Sequence, residues 1–450
     1  MARKIIIIGG GQVGFYLAKT LSEEHNDITI IDIDPQKCKR AREHLDAMVI
    51  EGHGAQSKIL EEANTADADL FIAVTRLDEI NIIACMKARR INPKVRTIAR
   101  VRSDDYVGPD NILNLKTEGI DKIINPERTA ALEIQQLVQN AIAQEIMPYA
   151  DGRLYMVALT PTAECDLMDH SLREVGEMFT ELPFRTVAID RDGETIIPQG
   201  DHVFHEGDKI FVMCRRERLD EMYKICGYRR EKKINTVMIL GAGKLGRLIV
   251  QHLRDDFNVR LVDKDERRLD VASRELPDVL LLEGDGMDVD FLDSEGIEEI
   301  DAYIAVTNDE TTNLFSGLIA RRKGVRKIIV HINSPDYIPL VKGLGINSVV
   351  SKNLTTVDAI MRYVLRGRIH SVMMLEGIDT EIIELSPSGN SSIVGKALKD
   401  LDFPKGAVVG AVIHPEGVEI ATGKTIMGPD DRVLVFTRPN KLANVEALFN

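Results

Sequence analysis

The chain contains the same glycine-rich signature twice, and this repeat constrains its fold more than any other feature. The first copy is Gly9-Gly10-Gly11-Gln12-Val13-Gly14, and the second, about half the chain further along, is Gly241-Ala242-Gly243-Lys244-Leu245-Gly246. Each copy follows an apolar run of strand length and opens a segment whose apolar residues have helical spacing. A strand, a glycine turn and a helix in this order offer free backbone N–H groups to the phosphates of a nucleotide. We therefore predict two nucleotide-binding units in one chain.

The repeat extends well beyond the glycine loops. Glu51-Gly52-His53-Gly54 returns as Glu283-Gly284-Asp285-Gly286, and Ile72-Ala73-Val74-Thr75 returns as Ile304-Ala305-Val306-Thr307, both in the register set by Gly9 and Gly241. A single glycine loop is weak evidence for a nucleotide site. A register that is kept over so many further positions indicates an internal duplication.

Strands and helices alternate around each glycine loop. Apolar runs predict strands at residues 5–8, 27–33, 47–51, 70–75 and 95–101, with helices between them, and the series restarts at residue 234. Pro35 is expected in the first turn of a helix, where its missing N–H costs nothing. A βαβ series produces a parallel sheet with right-handed crossovers. The predicted fold class is α/β, with two Rossmann-like domains that contain parallel sheets.

A different pattern follows each Rossmann-like segment. Strands are predicted at 154–159, 186–190, 194–197 and 209–214, and again at 381–385, 408–413, 418–421 and 432–437. Ser171 and Glu174 have the spacing of a capping box at a helix start, and a second helix is predicted near 395–401. These segments predict small α+β domains. The predicted domains are 1–148, 149–232, 233–370 and 371–450.

Composition excludes several classes of function. A chain of 450 residues is too long for one core. A net charge of −14 argues against non-specific binding of nucleic acid, which needs a positive surface. The longest apolar stretches have strand length, far below the roughly 20 residues of a membrane helix, and the first strand begins too early for a signal peptide. Five cysteines without metal spacing fit a reducing compartment. A membrane role is therefore expected to be peripheral.

Residues that suggest catalysis or metal binding do not repeat. His202 and His205 lie near acidic residues in a predicted loop, but the second copy has no histidine in that region. No Ser/His/Asp or Cys/His arrangement is found in both halves. We therefore expect that the chain has no metal site and is not an enzyme.

An acidic residue ends the second strand of each copy. Asp32 follows Gly14 at nearly the same spacing as Asp263 follows Gly246, and from this position a carboxylate accepts hydrogen bonds from ribose hydroxyls. A carboxylate there repels a 2′-phosphate. NAD, NADH, ATP or ADP are therefore favoured over NADP.

The two predicted sites differ at their edges. Thr75-Arg76 and Thr307-Asn308 end the fourth strands, at the carboxyl edge where ligands bind in open α/β sheets. Arg100 ends the fifth strand and is suited to pair with a phosphate or to form a surface ion pair, whereas His331 stands at that place in the second copy. Asp285 replaces the first copy's histidine, and it can accept from ribose or help to hold a cation. The two sites are expected to prefer different ligands.

Taken together, these motifs resemble the TrkA family. The resemblance rests on the first glycine loop, Asn26-Asp27-Ile28-Thr29 leading to Asp32, the Glu51 and Ile72 motifs, and Ile98-Ala99-Arg100-Val101-Arg102-Ser103. The order large–small–large–small is also similar, and the resemblance covers the whole chain. It implies two RCK N-terminal domains, each followed by an RCK C-terminal domain.

The resemblance also implies a function. Members are cytoplasmic regulatory subunits of potassium uptake, which bind NAD or NADH and ATP or ADP. They assemble as homo-oligomers, here expected to be a tetrameric ring, at the inner face of the plasma membrane beneath a TrkH-like potassium channel subunit. By position, residues 9–13, Asp32, Thr75-Arg76 and Arg100 line the first site, and residues 241–245, Asp263, Thr307-Asn308 and His331 line the second. His331 departs from the first copy's arginine, which weakens the case for a phosphate contact there.

Two other functions fit parts of the pattern. An NAD-dependent oxidoreductase would need a catalytic Lys or His at the nicotinamide end of one Rossmann domain, and neither half offers a strong candidate. A regulator of another transporter, such as a Kef-type exchanger, would keep the nucleotide sites and change only the partner.

Overall fold

The computed structural model describes residues 3–23, 26–106, 114–178, 184–228, 233–346, 348–364, 369–374, 380–389 and 391–449. Within these ranges a six-stranded parallel sheet is followed by a five-stranded antiparallel sheet, and the same pair then repeats. The predicted fold class is confirmed.

The first parallel sheet belongs to the first Rossmann domain. Its elements, numbered along the chain, are β1 (Lys4–Ile8), α1 (Gln12–Glu23), β2 (Asp27–Asp32), α2 (Pro35–His44), β3 (Met48–Glu51), α3 (Ser57–Glu62), β4 (Leu70–Ala73), α4 (Asp78–Ile91), β5 (Arg96–Arg100), β6 (Lys122–Ile124) and α5 (Pro126–Gln139). The strand order is β3-β2-β1-β4-β5-β6. The order reverses between β1 and β4, which opens a crevice at the carboxyl ends of these strands.

The first small domain follows as an antiparallel sheet. Its elements are β7 (Glu145–Tyr149), β8 (Leu154–Leu159), α6 (Leu172–Met178), β9 (Phe184–Arg191), β10 (Glu194–Ile196), β11 (Lys209–Arg215) and α7 (Leu219–Ile225), and the strand order is β10-β9-β11-β8-β7. The capping box forms, because Ser171 N donates to Glu174 Oε2 at 2.7 Å and Glu174 N donates to Ser171 Oγ at 3.3 Å. β7 crosses the predicted boundary at residue 148.

The second Rossmann domain repeats the first. Its elements are β12 (Thr236–Leu240), α8 (Lys244–Leu253), β13 (Asn258–Asp263), α9 (Glu266–Glu275), β14 (Leu280–Glu283), α10 (Val289–Ser294), β15 (Ala302–Ala305), α11 (Glu310–Arg322), β16 (Lys327–His331), α12 (Ile338–Gly343), β17 (Ser348–Val350) and α13 (Lys352–Val364). The strand order is β14-β13-β12-β15-β16-β17, equivalent to that of the first sheet.

The second small domain contains β18 (Ile369–Met374), β19 (Glu381–Leu385), β20 (Ala407–His414), β21 (Gly417–Ile420), β22 (Arg432–Thr437) and α14 (Leu442–Phe449), in the order β18-β19-β22-β20-β21. The prediction of a helix near 395–401 is wrong, since only a single 3₁₀ turn forms there, at Leu398–Asp400. Ala397 precedes this turn and has no side-chain oxygen to cap it, whereas Ser171 caps α6 at the corresponding place in the first copy.

The two Rossmann domains exchange their last helices. α5 packs against α8 of the second domain, and α13 packs against α1 of the first. Ile134 lies in one buried cluster with Ile249, and Ile360 lies in another with Leu17. Each Rossmann core is therefore completed by a helix from the other copy.

Polar contacts fix both exchanged helices at their ends. Arg96 Nη2 donates to the carbonyl oxygen of Tyr363 in α13 at 2.8 Å, and the Arg96 guanidinium lies 4.7 Å from the centre of the Tyr363 ring. At the equivalent place in the second copy, Lys327 Nζ donates to the carbonyl oxygen of Ala143, just beyond α5, at 2.5 Å. Both cations thus bind a backbone carbonyl at or just beyond the C-terminal end of an exchanged helix, where a positive charge is favourable.

The two small domains pack against each other through their sheets. Met156, Phe211 and Met213 of the first small domain share a buried cluster with Leu434 and Phe436 of the second. Among the described residues, no helix is both long enough and apolar enough to cross a bilayer.

The exchange predicts that Ile360→Ala destabilises the chain by about 2–5 kcal/mol, because it opens a cavity between α13 and α1. Leu340→Ala is the matched control, since Leu340 is 66% exposed and Ile360 is fully buried. Denaturant unfolding of the full chain measures both variants. Equal, small effects of the two substitutions would contradict the observed packing.

Candidate nucleotide-binding site

The first glycine loop forms a tight turn between β1 and α1. Gly9 has φ +106°, which favours glycine, and its N–H donates to the carbonyl oxygen of Ile31 at 2.8 Å. A Cβ on Gly14 would lie 1.8 Å from the carbonyl oxygen of Gly9, so the helix approaches the turn as closely as glycine allows. A Cβ on Gly11 meets no atom within 4 Å. Gly11 therefore borders open space at the helix N-terminus, where phosphates bind.

The acidic residue at the end of β2 holds the loop in place. Asp32 Oδ2 accepts a hydrogen bond from Gly10 N at 2.6 Å, and its Oδ1 accepts one from Asp34 N at 2.9 Å. In the second copy, Asp263 Oδ2 accepts from Ala242 N at 2.8 Å. A carboxylate oxygen can accept more than one hydrogen bond. The same group can thus position the loop and bind ribose hydroxyls.

A buried asparagine organises the other side of the crevice, a role that sequence reasoning missed. Asn81 Oδ1 accepts from Thr75 N at 2.9 Å and from Thr75 Oγ1 at 2.7 Å, while its Nδ2 donates to the Arg100 carbonyl at 2.8 Å. Asn313 accepts from Thr307 N in the same way, at 2.8 Å. These asparagines tie the ends of the fourth and fifth strands together. The signal available in the sequence was that both copies carry asparagine at the equivalent position.

The first crevice is a cavity of about 740 Å³. This is within the usual range for small-molecule sites, roughly 300–1,000 Å³. The structure brings most of the predicted first-site residues to its wall, namely Gly9, Gly10, Gly11, Gln12, Val13, Asp32, Thr75, Arg76 and Arg100. Gly14 instead packs beneath the loop.

The second Rossmann domain closes the first cavity. Asn333, Lys352 and Asn353 line it, and Asn353 Nδ2 donates to Gln12 Oε1 at 2.5 Å. Lys352 and Asn353 reach the cavity because α13 packs on α1 and begins at the cavity mouth, whereas Asn333 lies in the loop after β16. The site is therefore composite, and nothing in the local sequence around Lys352 predicts this.

Positive charge predominates in the first cavity. Its wall carries six cationic side chains and two carboxylates, which are Lys37, Arg40, Arg76, Arg100, Arg102, Lys352, Asp32 and Glu127. Burial, and then the neighbouring Arg102, lower the pKa of Arg100. Burial is also the main cause that lowers the pKa of Lys352, although Glu127 opposes it. The cavity is thus suited to a ligand with several negative charges.

The second crevice is a smaller cavity of about 170 Å³. Of the predicted second-site residues, Asp263, Asp285, Thr307 and Asn308 line it, whereas Gly241, Ala242, Gly243, Lys244, Leu245, Gly246 and His331 do not. Its wall carries three carboxylates and two cations, which are Asp263, Asp285, Asp309, Lys264 and Arg268. The charge balance is thus opposite in sign to that of the first cavity.

Two residues explain the difference between the copies. Lys244, at the start of α8, points to the first domain, where its Nζ lies 2.7 Å from Asp104 Oδ2 and also donates to the Arg102 carbonyl. His331 is buried, and burial followed by the charge of Lys352 lowers the pKa of its ring to about 3. The ring is therefore neutral and cannot replace the charge of Arg100. Among the described residues, no group of three or more acidic, histidine or cysteine side chains is placed to hold a metal ion.

Fold and site together define a duplicated Rossmann protein with a crevice at the carboxyl ends of the strands in each copy. The TrkA-N domain family matches residues 5–126 and 237–352, and the TrkA-C domain family matches residues 156–227 and 382–450. The chain belongs to the TrkA family. It is 32% identical to the Trk system potassium uptake protein TrkA of Vibrio alginolyticus, over 99% of this chain and 98% of that one. It is 33% identical to TrkA homolog 2 of Methanosarcina mazei, over 99% and 100%. The relatives are transport proteins rather than enzymes, in agreement with the prediction.

Solved structures share the fold. The RCK domain of GsuK superposes with a TM-score of 0.61 at 16% identity and covers all of this chain and 95% of that one. A structure described as the GsuK channel bound to NAD gives a TM-score of 0.61 at 17% identity, covering 100% of this chain and 79% of that one. The fold of this chain is therefore shared with the RCK domain of GsuK.

The glycine loop provides a matched pair of substitutions. Gly14→Ala places a methyl group against the Gly9 carbonyl, so we expect it to lower the free energy of unfolding by about 1–3 kcal/mol or more. Gly11→Ala leaves stability unchanged but narrows the space for phosphates, so we expect it to weaken nucleotide binding. Thermal unfolding and calorimetric titration with ADP separate the two effects. Unchanged ADP binding by Gly11→Ala would count against a phosphate position at this loop.

Proposed function

We propose that this chain is a cytoplasmic regulatory subunit of a potassium-uptake system and that it senses adenine nucleotides, ATP or ADP, and NAD or NADH. Membership of the TrkA family supports the role in potassium uptake, since the relatives are named as potassium uptake proteins. Structures of GsuK described as bound to NAD and to ADP share the fold and support nucleotide binding.

The single observation that carries this proposal is the composite, positively charged first cavity. The phosphates lie at the Gly11 end of the loop, within reach of Arg100 and of Lys352 from the second domain. Asp32 accepts from the ribose hydroxyls. A polyphosphate compensates the excess of cations in a cavity of about 740 Å³, whereas the second cavity, at about 170 Å³, has an excess of carboxylates. The first site is thus the high-affinity one.

The composite wall also provides the means of regulation. A ligand shifts a conformational equilibrium only if it binds one state more tightly than the other. Phosphates that contact Arg100 and Lys352 together bind most tightly when α13 is close to α1. Nucleotides with different phosphate groups therefore stabilise different spacings of the two Rossmann domains.

Assembly into a ring transmits the change in spacing of the two Rossmann domains to the membrane partner. We propose that the chain forms a homo-oligomeric ring, a tetramer, on the cytoplasmic side of a TrkH-like channel subunit. Both Rossmann domains expose an apolar side chain at the same position of the helix after their fourth strand, Ile83 in α4 and Phe315 in α11. We assign these faces to contacts between neighbouring chains of the ring.

The composite site predicts that Lys352→Ala weakens ATP and ADP binding about 10- to 100-fold, because one charge-assisted hydrogen bond to phosphate is worth about 1.5–3 kcal/mol. Adenosine, which has no phosphate, is expected to bind wild type and variant equally. Isothermal titration calorimetry measures both ligands. Lys264→Ala, a lysine in the second cavity, is the matched control and is expected to leave ATP binding at the first site unchanged. Equal losses in the two variants would disprove the composite site.

Nucleotide control of transport is tested with the two acidic residues. Asp32→Ala together with Asp263→Ala is expected to abolish the effect of nucleotides on potassium flux in cells that carry a TrkH-like subunit. Asp32→Ala alone should remove most of the effect and Asp263→Ala alone little of it. Thermal unfolding without ligand serves as the control, because both residues also hold their glycine loops. Flux that still responds to nucleotide in the folded double variant contradicts the proposed function.

A further inference from the structure

A histidine lies between two carboxylates in the second small domain. His414 ends β20, and its Nδ1 lies 2.8 Å from Asp431 Oδ1, in the turn before β22. Its Nε2 lies 3.3 Å from Glu419 Oε2, on the neighbouring strand β21. The His414 side chain is 30% exposed and that of Asp431 is 8% exposed. Protons can therefore reach the ring although one carboxylate is buried.

The two contacts favour one protonation state of the His414 ring. Ionised carboxylates only accept hydrogen bonds, and only the doubly protonated imidazolium donates from both ring nitrogens. Burial lowers the pKa of His414, but the hydrogen bonds and charges of Asp431 and Glu419 outweigh this effect and raise it above its ordinary value. Arg432, which follows Asp431, is paired with another carboxylate, since its Nη1 donates to Glu384 Oε1 at 2.6 Å.

In the first small domain, a permanently charged arginine takes the place of His414. Arg191, at the end of β9, donates from Nε to Asp208 Oδ1 at 2.7 Å and from Nη2 to Asp208 Oδ2 at 2.8 Å. Asp208 precedes β11 as Asp431 precedes β22, and β9 pairs with β11 as β20 pairs with β22. The duplication therefore contains a fixed cation in one copy and a titratable one in the other.

The carboxylates around His414 hold a segment that contributes to the core. Asp431 Oδ2 accepts from Gly428 N at 2.7 Å, and Glu419 accepts from Thr425 Oγ1. Met427 lies between these two contacts and is fully buried. It belongs to the same apolar cluster as Ile360 of α13 and Leu17 of α1. A change at His414 thus acts on a segment that contributes a side chain to the apolar cluster shared with the exchanged helix.

We propose that His414 is a proton-binding site that makes the attachment of residues 421–431 depend on pH, while Arg191 provides a permanent charge at the equivalent contact of the first small domain. The proposal does not rest on nucleotide binding or on the potassium-uptake role. When His414 loses its proton, one ring nitrogen without hydrogen faces a carboxylate, and the contact becomes repulsive.

The sign of the pH dependence follows from linkage. Because the pKa of His414 is raised in the folded chain, the proton-bound form stabilises the fold. This contribution is fully present below the ordinary histidine pKa of 6.5 and is lost as the pH rises through the higher pKa of the folded state. Stability from this site therefore falls as the pH rises above 6.5.

A direct test is an NMR titration of the full chain with labelled histidine. The His414 signal is assigned among the ten histidines by its absence in His414→Gln or, should that variant not fold, in His414→Arg. We expect the ring of His414 to titrate above 6.5, and Glu419→Gln to move the pKa downward. A ring that titrates at or below this ordinary value overturns the proposal.

A second test uses the internal copy as its control. We expect the Tm difference between wild type and His414→Gln to shrink as the pH is raised from about 6 to about 9. His414→Arg places a permanent charge there, as in the first copy, and should remove the pH dependence of stability that comes from this site. Arg191→His should introduce an equivalent pH dependence into the first small domain. A Tm difference between wild type and His414→Gln that stays constant over this range contradicts the proposal.

Discussion

The reciprocal packing of α13 on α1 and of α5 on α8 is the interaction on which the rest of the structure depends. Each exchanged helix buries side chains such as Ile360 and Ile134 in the core of the other Rossmann domain. Full burial of one such side chain is worth about 1.5–3 kcal/mol. Because the start of α13 lies at the mouth of the first crevice, the same packing brings Lys352 and Asn353 to the proposed phosphate position. Fold stability and ligand recognition are therefore coupled through one helix.

Duplication followed by divergence explains why the two crevices differ. The backbone framework is retained in both, as the equivalent bonds of Asn81 and Asn313 show. The charges have diverged, since neutral His331 replaces Arg100, and Lys244 is used in a contact with Asp104. The small domains diverged in the same manner at Arg191 and His414. Among the Rossmann domains, the first crevice has an excess of cations and the second an excess of carboxylates. Among the small domains, Arg191 keeps a permanent charge, whereas the charge of His414 changes with pH.

Much of the fold could be predicted from the sequence because its signals are local. Glycine loops, strand-end acids and the Ser171–Glu174 capping box are all read within a short stretch of chain, and the structure reproduces them. The helix predicted near 395–401 failed because Ala397 cannot cap it. The composite wall of the first site was missed because Lys352 lies far along the chain from the glycine loop that it faces. Such a contact is determined by the packing of whole domains, for which the sequence carries no local pattern.

We propose that one nucleotide site is shared between the two Rossmann domains. A structure of the full chain with bound ATP tests this proposal. We predict that the triphosphate lies between the first glycine loop and α13, with Lys352 Nζ and the Arg100 guanidinium within hydrogen-bond distance of phosphate oxygens. A nucleotide whose phosphates contact only the first domain, or one bound with equal occupancy in the second crevice, would contradict the claim.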